Sequence, residues 1–257
     1  MLKRSAAVLT SAALCLTLGG CALITNITSP DRSDSGARPS PARTFGLHDL
    51  DASQFLPPPP AADSSTQKAD EDALMMSLSQ RDSERGKEAA KDMDMDVFWR
   101  LLERFGQVSE RKISRKALPE THRLLISTWI AARNAARNAN KNYQRNRPWV
   151  NYLAGDETCR PDLKAKAAEN DSYASSFAAR IWSVALAYAA VLPGHSEAVI
   201  REAMSITNSR WICGLGWKSD IDSGRLLGSV VYSRLSGEPD YQAQLGKARA
   251  ELQKSRK

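Results

Sequence analysis

A chain of 257 residues with 42% apolar residues is long enough to bury one sizeable core. Its net charge of +7 is spread over interspersed acidic and basic residues, so it describes a solvated surface and gives no ground for a nucleic-acid partner. No Cys-x-x-Cys pair or histidine cluster suggests a metal, and no other cofactor is implied.

The first four residues, Met1-Leu2-Lys3-Arg4, are basic. An apolar run from Ser5 to Leu18 follows, ending in Leu18-Gly19-Gly20-Cys21. This pattern predicts a secretory signal peptide over residues 1–20, too short for a spanning helix of about 20 residues. The Leu-Gly-Gly-Cys ending resembles the bacterial lipobox, in which the cysteine becomes the lipidated first residue; an ordinary leader with an incidental Cys21 is the alternative. Ala22 rather than Asp follows, which by resemblance to sorting rules favours the outer membrane, facing the periplasm. Loss of Lys3 and Arg4 with the leader lowers the net charge from +7 to +5.

Residues 21–53 are polar and rich in Ser, Pro, Asp and Arg, which predicts a flexible tether. The run Pro57 to Pro60 is stiff and extended. The folded domain is placed at 54–257. Helical spacing begins at Asp70 and runs to Lys91, then resumes with Val97, Leu101, Leu102 and Phe105. Further helices are predicted from Pro119 to Asn140, over the apolar stretch Ala178 to Val191, from Ser196 to Asn208, from a Ser219 cap to Leu235, and from Pro239 to Gln253. The apolar helix is the central one. No strand-like alternation of useful length occurs, so the fold class is all-α, a helical bundle. Of four cysteines, Cys15 leaves with the leader and Cys21 carries lipid. Cys159 and Cys213 then pair in an oxidising compartment, contributing about 4 kcal/mol on the chain-entropy estimate, or remain two buried thiols.

Three stretches carry the chemistry: Ala139-Asn140-Lys141-Asn142-Tyr143-Gln144-Arg145-Asn146-Arg147-Pro148, Asp171-Ser172-Tyr173-Ala174-Ser175-Ser176-Phe177, and Ser209-Arg210 through Gly216 to Asp220. Together they resemble the KxxxxxxRP, PSGH and SRxxxxxHxxxD motifs of the type-2 phosphatidic acid phosphatase superfamily, and within it the class A bacterial non-specific acid phosphatases. Leu56 to Ala61 ("LPPPPA"), Ser83 to Ala90 ("SERGKEAA"), Asp220 to Ser229 and Pro239 to Leu252 extend the likeness over about residues 54–257. The resemblance implies a helical-bundle fold. It also implies a reaction in which the third-motif histidine attacks phosphorus, the aspartate four residues on orients it, and the PSGH histidine protonates the leaving oxygen. Lysine, arginines, serine and backbone N–H groups hold the phosphoryl oxygens.

Carried over residue by residue, those roles fail at the reacting centre. The lysine position holds Asn140, with Lys141 about 100° away around the helix. The acid position holds Phe177 and the nucleophile position Gly216. Arg147, Ser175 and Arg210 remain as candidate phosphate ligands, together with Ser176 in the glycine position, and Asp220 has lost the group it would orient. The three histidines, His48, His122 and His195, all fall outside the motifs; His195 reads as a solvated turn residue. Without a covalent nucleophile the two-step route is closed, and loss of the general acid alone costs about 10²–10⁴-fold. The expectation is a pseudoenzyme on a phosphatase fold, with phosphate or a phosphoester as ligand. Arg210 paired to Asp220 and Ser175 serving only as a helix cap is the structural alternative. Phe177 and Trp217 as apolar filling favour a protein partner or scaffold role. A divergent active phosphatase and a purely structural lipoprotein are the other readings, and oligomeric state is left open.

Overall fold

The computed structural model describes Leu47 and residues 50–93, 97–152, 158–164 and 170–255. The leader, Cys21, His48 and most of the tether lie outside the described residues. The helices are α1 (Ser65–Gln80), α2 (Glu84–Asp92), α3 (Val97–Ser109), α4 (Pro119–Asn142), α5 (Pro148–Asn151), α6 (Pro161–Lys164), α7 (Ser176–Val191), α8 (Ser196–Ile212), α9 (Lys218–Ser236) and α10 (Pro239–Lys254). Among the described residues, extended backbone pairs only at an isolated bridge between Arg145 and Asp171. The fold is an all-α bundle.

Helix α7 is apolar nearly all round, which in a soluble domain requires neighbours on every side. It has them: α4, α8, α9 and α10 pack around it. Small residues set how close they come. Ala132, Ala135, Ala136 and Ala139 of α4 are buried to 1% exposure or less. On α9, a Cβ at Gly224 would lie 2.5 Å from the Ser175 carbonyl oxygen, and one at Gly228 would lie 2.6 Å from that of Ala179. Glycine at these two positions therefore lets α9 press its backbone against the start of α7. No described helix is long and apolar enough to cross a membrane.

Local chemistry corrects several expectations. The predicted Asp70–Lys91 span is two helices, because Ser83 accepts a hydrogen bond from Gly86 N at 3.2 Å and so starts α2 afresh. Helix α1 begins at Ser65, earlier than expected, where Ser64 accepts from Gln67 N at 3.1 Å. Packed structure also reaches back before residue 54. Leu47 and Ala52 are buried in the core, and Asp51 caps a short 3-10 turn over Ala52–Gln54. Ser219 does not cap α9; Trp217 is the cap residue, and its N–H is taken by the Asp220 carboxylate at 3.1 Å. Ser219 instead donates N–H and Oγ to Asp70 of α1, at 2.8 and 2.5 Å. His195 is partly buried in a 3-10 turn after α7, not fully solvated. Cys159 and Cys213 form a disulfide with a Cα–Cα distance of 4.7 Å, fastening the segment after α5 to the end of α8.

Candidate functional site

The C-terminal end of α4, the N-terminal end of α7 and the α8–α9 connection meet at one end of the bundle, bringing the three motif stretches together. Backbone hydrogen bonds join them in pairs. Arg145 N donates to Asn170 O at 3.0 Å and Ser172 N to Arg145 O at 3.2 Å, tying the first stretch to the second. Ser175 N donates to Asp220 O at 3.0 Å, tying the second to the third.

The side chains divide into committed and uncommitted groups. Arg147 is buried and committed. Its Nη1 donates to Leu215 O at 2.8 Å, its Nη2 binds the Asp171 carboxylate, and its guanidinium lies 5.4 Å from the Trp149 ring centre. Ser175 is the N-cap of α7, accepting from Ala178 N at 3.2 Å. Ser176 is the first residue of that helix and is partly exposed. Asn140 donates Nδ2 to Asp171 O at 3.1 Å, while its buried Oδ1 has no partner. Arg210 is different. It has no carboxylate partner among the described residues; its guanidinium lies 5.5 Å from the Phe177 ring centre, with Met93 Sδ at 4.0 Å. Burial, with Arg147 and Arg180 nearby, pushes the Arg210 guanidinium down to about 9.

Asp220 does not pair with Arg210. The residue that holds it is Arg145, which the motif comparison passed over. Arg145 Nη1 donates to Asp220 Oδ1 at 2.5 Å, while Nη2 reaches Asp70 Oδ2 at 2.8 Å and Gln67 Oε1 at 2.5 Å. Ser172 Oγ and Trp217 N donate to Asp220 Oδ2. Burial pushes the Asp220 carboxyl above its usual range, and Arg145 and Ser172 pull against it. The signal for this role was the position of Arg145 two residues before Arg147: on extended backbone, alternate residues share a face, so both arginines turn inward.

At Gly216 the packing does not require a glycine. A Cβ at Gly216 would meet Arg210 Cγ at 3.6 Å and Ile221 Cδ1 and Ser172 Oγ at 3.8 Å, ordinary van der Waals contacts. Phe177 and Trp217 are buried to 4% and 3% exposure, and the void beside Gly216 and Trp217 has no room for a water. The described histidines lie elsewhere. His122 stacks on Trp99 in the first turn of α4, 18 residues before Asn140, which is about 27 Å along a helix. His195 follows the far end of α7.

No family model matches the chain. Whole-chain similarity is nonetheless clear. The non-specific acid phosphatase of Salmonella typhimurium is 36% identical over 199 residues, covering 77% of this chain and 78% of the relative. The enzyme of the same name from Providencia stuartii is 32% identical, covering 81% and 83%. An acid phosphatase of Zymomonas mobilis is 26% identical, covering 84% and 80%. With this similarity over an all-α bundle that gathers the three motif stretches at one end, the chain belongs to the family of bacterial non-specific acid phosphatases.

Proposed function

We propose that this chain is an acid phosphatase-like envelope lipoprotein, anchored through Cys21 in the outer membrane, that has lost the family's two-step hydrolysis and keeps phosphate or phosphoester binding. The observation that carries the reading is the pair Gly216 and Phe177: neither side chain attacks phosphorus or gives a proton, and no described histidine lies near them. The nearest hydroxyl–carboxylate pair, Ser172 on Asp220, is no substitute, since Ser172 is 2% exposed and its carboxylate is already held by Arg145. Retained binding is supported by Arg210, which has no carboxylate partner among the described residues and whose guanidinium offers phosphate charge-assisted hydrogen bonds. A phosphate reaching Arg147 would have to displace Asp171.

The test is hydrolysis of p-nitrophenyl phosphate by the full chain in detergent from pH 4 to 8, against an Arg147→Ala/Arg210→Ala variant. The expected result is no turnover above that variant. Turnover that vanishes in the variant would overturn the pseudoenzyme reading and favour a divergent active phosphatase.

A further inference from the structure

Where the first two motif stretches meet lies an open cleft of about 440 Å³, lined by Arg133, Arg137, Asn140 and Lys141 of α4, by Asp171 just before α7, and by Ser176 and Arg180 of α7. Four of these residues are cations, and none of the four occupies a family motif position. Among the described residues, none of the four makes an ion pair, and the one carboxylate in the cleft, Asp171, is already bound to Arg147. Several arginines elsewhere are paired: Arg104 with Glu88, Asp92 and Glu202, Arg123 with Glu120, and Arg225 with Asp222. What distinguishes the cleft is that four cations without an ion pair among the described residues line one space.

The arrangement is also built at a cost. Arg133, Arg137 and Lys141 stand at successive spacings of four on α4, where like charges repel. Arg180 is held in place by a hydrogen bond from Nε to Ser176 O at 2.9 Å and by the Trp129 ring, 4.4 Å from its guanidinium. Its Nη groups make no hydrogen bond among the described residues, so a fixed fork of donors faces the cleft. Burial and the charges of Arg133 and Arg137 push Arg180 down to about 10. The charge of Arg180 also helps to lower the Arg210 guanidinium.

We propose that this cleft is a binding site for a small anion carrying two phosphoryl groups. One phosphoryl group neutralises about two of the four charges, and the open volume accommodates a second. Each oxygen set would be met by a different element, Arg133, Arg137 and Lys141 from α4 and Arg180 and Ser176 from α7. The site deepens the proposed phosphoester binding and rests on that reading in part, since Asn140 and Ser176 of its lining stand at motif positions while its four cations do not.

Titration calorimetry on the full chain in detergent tests this, with pyrophosphate and orthophosphate as probes and phosphate release monitored in parallel. Pyrophosphate is expected to bind at least about tenfold more tightly than orthophosphate, one extra charge-assisted contact being enough for that ratio. An Arg133→Ala/Arg137→Ala variant should lose about tenfold or more in pyrophosphate affinity while unfolding at the same temperature or higher without ligand. An Arg210→Ala variant should lose less. Absence of pyrophosphate binding, or a loss in Arg210→Ala equal to or larger than in the cleft variant, overturns the site. Phosphate release would count against the pseudoenzyme reading alone, since the cleft is judged only by the binding ratios.

Discussion

Two charged regions flank the start of α7, and they are built on opposite principles. On one side, Arg145 stands between Asp70 and Asp220, and Gln67, Ser172, Ser219 and the Trp217 N–H occupy the remaining hydrogen-bonding positions. On the other, Arg133, Arg137, Lys141 and Arg180 line one cleft without an ion pair among the described residues. The first region is closed upon itself and fastens α1, the first and second motif stretches and α9 together. The second is open, and its members raise each other's energy. Pairing, more than charge density, separates a scaffold from a binding surface. Asp220 itself has structural work at the head of α9, holding Arg145 and the Trp217 N–H.

The largest expected effect comes from breaking the closed side. Arg145→Ala leaves two buried carboxylates facing each other, and removing one partner of a buried ionic group costs about 3–5 kcal/mol. Chemical denaturation should show that loss as a lower midpoint with an unchanged slope. Asp220→Asn keeps the shape and should cost about 1–3 kcal/mol, since Arg145 loses a charged acceptor. If Asp220 had no such structural work, Asp220→Asn would be silent, and the contrast between the two regions would fail.

His122 sharpens the contrast by showing what an isolated buried ionisable group does. It stacks on Trp99, its Nε2 has no partner, and burial with Arg115 and Arg123 nearby pushes its pKa down to about 4. The unfolded chain binds this proton near the ordinary histidine value of about 6.5. Between about 6.5 and about 4 the unfolded state is therefore protonated and the folded state is not, so stability falls as pH falls through that window and the loss levels off below it. The shift corresponds to at most about 3 kcal/mol. His122→Phe should retain about 2–3 kcal/mol more stability than the parent at pH 4 relative to pH 7. Equal pH profiles in the two proteins would place the proton elsewhere.

The helical architecture was legible because apolar spacing is a local property of the sequence. The central helix, the Pro119 start and the Pro239 start all fell within a few residues of where the pattern put them. What was missed depends on partners distant in sequence. The break between α1 and α2 turns on the Ser83 cap inside an otherwise continuous helical composition. The head of α9 is decided by Asp70, 149 residues before Ser219. Leu47 and Ala52 read as tether because two apolar residues in a polar stretch show no period, yet the bundle has a place for them. At the site, the motif positions were legible one by one, but Arg145 was passed over because a motif comparison weighs only matching positions. The stripe Arg133, Arg137 and Lys141 was visible as a spacing of four; its facing partner, Arg180, appears only when α7 is laid across α4.

The smallest predicted effect is the most direct measure of the open side. Arg137 takes part in two like-charge pairs on α4, with Arg133 and Lys141. Removing it relieves about 0.2–0.5 kcal/mol per pair, so Arg137→Gln should stabilise the ligand-free protein by about 0.5–1 kcal/mol at low ionic strength. The gain should shrink at 1 M salt, where charges farther apart than about 3 Å are screened. Pyrophosphate at a hundred times its dissociation constant should reverse the order, because a ligand bound only to the folded state adds about 2.7 kcal/mol to the parent and much less to a variant that binds it weakly. A charged side chain that destabilises the empty protein and stabilises the loaded one belongs to a binding site. If Arg137→Gln were less stable than the parent in both conditions, the cleft cations would be part of the scaffold, and the two regions would differ only in how their charges are hidden from the described carboxylates.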